Sequence, residues 1–337
     1  MTIPLVSATD DAGDEYLKGS ESQEAAQQVE GRSLTQIAWG RLRRDKVAMA
    51  SLGVIIFIVL AALFAPLITR ALGVDPFEPN TDLVSQDGGL PAGPWGGISW
   101  NHPLGIEPLI GRDILARLLF GARVTLLIAF SATFLVIVIG VLLGTIAGYS
   151  KGKTDTVISR IMDLTLSFPF LLLVIAMAQP LQQRLETVIP SAGAARIVAM
   201  ILLLSLFSWP YLARLVRGQV LSLREREFVE AAVSTGASSR RILFKELIPN
   251  LWAPILVYAS LAFPGFITAE ATLAYLGVGV LPPTPTWGAM LADSVRTFTV
   301  LPTYFFIPGT ILFITVLVFN LFGDAVRDAL DPRAGRG

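Results

Sequence analysis

Cysteine is absent from the 337 residues and histidine occurs once, at His102. The first absence excludes disulfides, thiolate metal sites and a cysteine nucleophile. A single imidazole also leaves a histidine-based metal centre or proton relay without partners. Charged residues make up only 15% of the chain against 53% hydrophobic, with Lys+Arg and Asp+Glu balanced at 26 each. A neutral chain has no basic surplus for neutralising phosphates, so no nucleic-acid partner is expected. A complete phosphate-binding loop is missing too. Gly148 to Thr154 reads GYSKGKT, but its glycine spacing is one residue short and no parallel-sheet strand precedes it. The acidic start of the chain, with Asp10, Asp11, Asp14, Glu15, Glu21, Glu24 and Glu30, lacks the basic region and apolar stretch of a secretory signal. Residues 1–35 therefore read as a disordered cytoplasmic tail, and the first membrane helix as retained.

What the chain has in abundance is apolar runs, and they make it a polytopic, all-α membrane bundle. Six spans are expected, each long enough to cross about 30 Å of hydrocarbon. They cover roughly 47–69, 124–149, 157–177, 195–215, 251–276 and 305–322. Pro254, Pro264 and Gly265 fall inside the fifth, where they are expected to weaken the backbone ladder. With both termini on the cytoplasmic side, nineteen of the 26 Lys and Arg residues lie inside and seven outside. That bias fixes the expected orientation.

The most informative polar stretch is Arg224 to Asn250, REREFVEAAVSTGASSRRILFKELIPN, which separates the fourth and fifth spans. Phe228, Val229, Ala232 and Val233 share one face at helical spacing. Gly236 follows as a residue able to take positive φ, Ser238 as an N-cap, and Ile242, Leu243 and Leu247 as a second apolar stripe before Pro249. The pattern predicts helix, sharp turn, helix.

Glu230, Ala231, Ala232, then Gly236, and after a gap Ile248 and Pro249, resemble the EAA loop of the membrane subunits of bacterial ABC importers. Glu246 departs from the motif, where an aliphatic residue or, in the peptide branch, a histidine is usual. Two further patches resemble the dipeptide, oligopeptide and nickel branch of that family. One is HPLGIEPLIGRDILARLLFGARVT at 102–125, with Gly111, Arg112 and Asp113 in place but Ile106-Glu107 for the usual Thr-Asp and a gap one residue longer. The other is EATLAYLGVGVLPPTPTWGAM at 270–290, with Glu270, Gly277, Trp287 and Gly288 in place. The charges at Glu107, Arg112 and Asp113 are read as capping and anchoring a juxtamembrane helix, and Glu270 as structural.

The resemblance implies a type I importer permease fold: an N-terminal region at 36–100 with the first span and an external loop, a permease core at 101–330, and a short cytoplasmic tail at 331–337. It implies a non-catalytic inner-membrane subunit without cofactor or metal, and four partners: a second homologous permease subunit, cytoplasmic ATPase subunits docking on the EAA loop, an external solute-binding protein, and the lipid bilayer. Peptide is the first expectation for the solute, although the branch also handles nickel chelates and some sugars. A secondary transporter, the rival reading, calls for midplane charges and an internal repeat of broken helices, and neither is legible here. An intramembrane enzyme would have only an Asp pair to work with. Asp163 and Asp324 fall at the cytoplasmic ends of their spans.

Overall fold

The computed structural model describes residues 34–85 and 89–330. The expected tails therefore lie outside the described residues, except that Leu34 and Thr35 already open the first helix. In chain order the helices are α1 (Leu34–Arg44), α2 (Lys46–Leu63), α3 (Ala65–Leu72), α4 (Ile114–Tyr149), α5 (Lys153–Ser167), α6 (Phe170–Glu186), α7 (Ala192–Leu223), α8 (Glu227–Ser234), α9 (Ser239–Arg241), α10 (Trp252–Tyr275), α11 (Trp287–Val295) and α12 (Pro302–Leu330). Among the described residues there is no strand, only two isolated bridges at Val84 with Pro91 and Ile106 with Asp113.

Among the described residues five helical runs are long and apolar enough to cross a membrane. A sixth exists only if α5 and α6 cross as one bent pair, because they meet at 91°. The third span expected at 157–177 is thus divided between α5 and α6. Pro169 is the cause: the residue before a proline is driven out of the helical region, and Phe168 is extended at φ −91°, ψ 140°.

A second difference lies at α4. The juxtamembrane helix and the second span, expected as separate pieces, are one helix of 36 residues. Asp113 caps it, accepting from the Ala116 amide at 2.7 Å. Arg117 does not interrupt it, because its charge is neutralised inside the protein.

Packing follows the small residues. Gly140, Gly144 and Gly148 recur every fourth position on α4 and face Leu212, Ala213, Val216 and Val220 of α7. With no side chain on that stripe the two backbones approach closely, the arrangement that drives helix association where lipid offers no hydrophobic gradient. Around this seam α4, α7 and α10 form the main core, with Ile128, Val136, Leu203, Leu212 and Ile267 buried. A second core joins α2, α4 and α12 through Ile55, Ile58, Ile114, Leu118, Tyr304 and Val318, with Trp287 of α11 among them. The opposite faces are apolar and uncovered: Phe57 is 70% exposed and Phe130 64%, tolerable only against acyl chains.

The bundle has two distinct ends. At one, the close of α12 packs on α1 and the start of α2 through Leu42, Ala48, Val326 and Ala329, so the described chain begins and ends on the same side. α8 and α9 lie at that end as well, leading into α10. At the other, residues 74–85 and 89–113 fold into a small irregular lobe over the starts of α4 and α12, tied by Arg117 to the Pro76 carbonyl at 3.3 Å and by Thr303 to the Trp95 carbonyl at 3.3 Å.

Candidate functional site

The hairpin at 224–251 is built as its residues dictate. α8 ends in a Schellman turn: the Gly236 amide donates to the Val233 carbonyl at 2.9 Å and the Ala237 amide to the Ala232 carbonyl at 3.0 Å. Gly236 sits at φ +78°, the left-handed conformation that glycine adopts without penalty. Ser238 then caps α9 through the Arg241 amide at 3.4 Å. From Ser239 the chain continues helically to Tyr275, loosening to a π-helical turn at Ile242–Leu247 and tightening to a 3₁₀ turn at Ile248–Leu251. Pro249 has no amide to donate, so the α ladder must rearrange around it.

The hairpin faces are not divided as the helical spacing predicts. Val229, Ile242 and Leu247 are buried against the bundle, with Ala232, Leu243 and Ile248 half-buried. Phe228 and Val233 turn away: Val233 is 54% exposed, and Phe244 beside them 52%. Glu230, Ala231, Gly236 and Pro249 are also exposed. The reason is geometric. α8 rests on the bundle along a narrow line, so only one of its apolar rows can be covered. Between α8 and the α4–α5 turn lies a cavity of about 690 Å³ lined by Tyr149, Ser150, Lys151, Arg224, Glu230 and Val233. The GYSKGKT stretch is thus a helix-connecting turn that forms part of this wall.

The two other motif patches meet at the far end of the bundle, and the structure brings neither near the hairpin. In the first, Glu107 is buried and binds three groups: Arg112 Nε at 2.7 Å, the Arg117 guanidinium, and the Tyr304 hydroxyl, which donates at 2.9 Å. Asp113 accepts from the α4 amide with one oxygen and contacts His102 Nδ1 at 2.8 Å with the other. Gly111 adopts φ +78°, and a Cβ there would stand 2.5 Å from the Asn80 carbonyl oxygen. Arg117 and Tyr304 are members of this cluster that the motif reading passed over. Tyr304 lies almost two hundred residues from Glu107, and no local pattern links them.

In the second patch Glu270 is fully buried where α10 meets α11. Thr125 donates to its Oε2 at 3.3 Å, and the same hydroxyl accepts from the Trp287 amide at 3.2 Å. The Thr286 hydroxyl and the Gly288 amide also lie on this carboxylate, while Oε1 has no partner of good geometry among the described residues. Trp287 donates its indole N–H to the Leu118 carbonyl at 2.9 Å. A Cβ on Gly288 would stand 2.6 Å from Ala271 Cα, so the start of α11 touches α10 only because Gly288 lacks one. Gly277, at φ +80°, turns the chain out of α10. Glu270 thus fastens α11 to α4 and α10. Glu270→Gln preserves the shape and the Thr125 bond and replaces a poorly solvated carboxylate with a neutral amide. Transport with unchanged pH dependence and a melting temperature no lower than the parent's is expected. Loss of transport in a stably assembled complex would assign Glu270 a role in the transport step instead.

An all-helical membrane bundle with a helical hairpin exposed at one end is the build of a membrane subunit that works with a partner outside the bilayer. Two family models identify which: one described as binding-protein-dependent transport system inner membrane component matches residues 140–336, and one described as the N-terminal TM domain of oligopeptide transport permease C matches residues 33–91. The chain belongs to the family of inner-membrane permease components of binding-protein-dependent transport systems. It is 37% identical over 306 residues to the oligopeptide transport system permease protein OppC of Haemophilus influenzae, covering 91% of each chain. It is 37% identical over 296 residues to the dipeptide transport system permease protein DppC of Alkalihalophilus pseudofirmus, covering 88% of this chain and 89% of the relative. It is also 37% identical over 295 residues to the glutathione transport system permease protein GsiD of an Escherichia coli strain, covering 88% of this chain and 89% of the relative. The chain is therefore a multi-pass inner-membrane permease subunit of an ABC importer.

Proposed function

We propose that this chain forms half of the translocation pathway of an ATP-driven importer for short peptides. A second homologous permease subunit supplies the other half, ATPase subunits bind at Glu230, Ala231, Ala232, Gly236, Ile248 and Pro249, and an external binding protein delivers the solute. The peptide assignment draws on the relatives, whose printed names specify oligopeptide, dipeptide and glutathione transport. In this reading residues 36–100 are an N-terminal addition, 101–330 the permease core, and both termini are cytoplasmic.

The observation that carries the coupling role is mechanical continuity. The hairpin passes into α10 without an intervening loop, and α10, about 36 Å long at 1.5 Å per residue, carries the Glu270 junction near its far end. Closure of the ATPases moves the hairpin, and a continuous helix transmits that displacement to the opposite end of the bundle. Exposed Phe228, Val233 and Phe244 supply the apolar contact that a docked partner covers. The cleft between α7, α10 and the end of α12, about 870 Å³ and lined mostly by apolar groups such as Leu215, Pro254, Val257 and Leu261 with Arg327 at its edge, fits a surface completed by a second subunit.

Gly236→Val tests the coupling role. No heavy atom lies within 4 Å of the added Cβ, so the substitution acts through the backbone alone. A β-branched residue at positive φ costs about 1–2 kcal/mol or more, which the turn relieves by redirecting α9. The protein is expected to insert with its spans intact but to bind ATPase weakly in pull-down, or to hydrolyse ATP without uptake. Normal binding together with normal coupled uptake would remove the hairpin from the coupling path.

A further inference from the structure

Beyond the Glu270 junction, the turn after α10 and the face of α11 enclose a separate pocket of about 320 Å³. This is at the small end of the range of roughly 300–1,000 Å³ common for small-molecule sites. One wall is formed by Gly277 and by Gly279 to Pro282; the other carries Asp293 and Arg296, with Ala289 and Ala292 on the same helix. The glycines and alanines leave the space open.

Asp293 and Arg296 are three residues apart at the end of α11, where the Arg296 amide bonds the Asp293 carbonyl at 3.3 Å. Side chains at that spacing share a face, with Cβ atoms about 5–6 Å apart. Yet they do not close on each other. Among the described residues neither side chain makes a hydrogen bond or an ion pair, although Asp293 is half-buried. Burial first, and then the negative Glu107 nearby, push the Asp293 carboxyl above its ordinary range, against the opposing pull of Arg117 and Arg296. A half-buried carboxylate with no hydrogen bond or close ion pair gains from a cation brought into contact with it. The neighbouring guanidinium presents five donors suited to a carboxylate.

We propose that this pocket is a subsite for the two charged ends of a short zwitterionic peptide, Arg296 taking the terminal carboxylate and Asp293 the terminal ammonium. The inference rests on the peptide reading above and deepens it. The pocket lies at the end of the bundle opposite the hairpin, the side from which an imported solute arrives. Its walls grip charges common to every peptide and present little to distinguish side chains, so it suits a pathway that admits many sequences. It also places the peptide against α11, the element that Glu270 ties to α10, where a displacement of α10 reshapes the site.

The test uses the complete importer with its binding protein in liposomes and three probes: alanyl-alanine, alanyl-alanine amide and N-acetyl-alanyl-alanine. Each variant's uptake is divided by the parent's uptake of the same probe, which cancels the preference of the binding protein. Loss of one charge-assisted contact is expected to lower uptake roughly tenfold. Arg296→Gln should do so for the two probes with a free carboxylate and spare the amide. Asp293→Asn should do so for the two with a free ammonium and spare the acetylated probe, and Arg296→Lys should recover part of the loss. Variants that treat all three probes alike, unchanged or uniformly reduced, would overturn the subsite and leave the peptide reading standing. A parent complex that takes up none of the probes would overturn the peptide reading, and the subsite with it.

Discussion

Gly144→Val is expected to prevent the bundle from forming, while Gly53→Val leaves it intact. A Cβ on Gly144 would lie 2.6 Å from the Ala213 carbonyl oxygen, 2.9 Å from Val216 Cβ and 3.0 Å from Ala213 Cα. Two of these atoms belong to the backbone of α7, so no rotamer change relieves the clash and the two helices must separate. Separation opens the α4–α7 seam along its length, because Gly140 and Gly148 are equally close to Leu212 and Val220. Overpacking a core costs about 1–3 kcal/mol when side chains can shift, and a collision with backbone exceeds that. Gly53 on α2 has nothing within 4 Å, so its substitution controls for adding a β-branched residue to a membrane helix. Yield and size-exclusion profile in detergent distinguish the two. A monodisperse Gly144→Val protein with the parent's melting temperature would show that the seam does not hold the bundle together.

Glu107→Gln is expected to be the most destabilising change at the end opposite the hairpin. Glu107 is the shared anion of Arg112 and Arg117, both buried, and accepts the Tyr304 hydroxyl as well. Removing one partner of a buried ion pair costs about 3–5 kcal/mol, because the remaining charge is left desolvated and uncompensated. Here two guanidiniums are left. Arg117 retains only the Pro76 and Pro283 carbonyls as hydrogen-bond partners, at 3.3 and 3.4 Å, so the links from the irregular lobe to α4 and to the loop before α11 weaken together. Thermal unfolding of the purified protein should show a clear drop in midpoint. The Asp113 cap should persist, since its bonds do not pass through Glu107. An unchanged midpoint would mean that the arginines find other compensation and that the cluster is not a structural tie.

The sequence by itself determined that this is a membrane bundle, where its main apolar helices run, and the form of the 224–251 hairpin. Those features are local. Hydrocarbon thickness sets the length of an apolar run, and positive φ at the end of a helix selects glycine, so Gly236 and the Ser238 cap were legible from a few neighbouring residues. The Asp113 cap, beside its helix start, was legible for the same reason.

Tertiary structure decided the rest, because it depends on what stands opposite. The bend between α5 and α6 had its cause in view at Phe168-Pro169, yet average hydropathy over a span is blind to a turn that keeps both arms apolar. The four-residue spacing of Gly140, Gly144 and Gly148 was visible, but nothing local says which helix lies against them. No local pattern marks Arg117, in the first turn of α4, as a buried charge, because Glu107 neutralises it from a loop. Of the apolar residues on α8, only the contact line with the bundle separates Val229, which is covered, from Val233, which is exposed. Glu270 joins Thr125 across a sequence separation of 145. Its role in seating α11 follows from that meeting, since a carboxylate buried at a helix junction acquires its function from the groups that the fold brings to it.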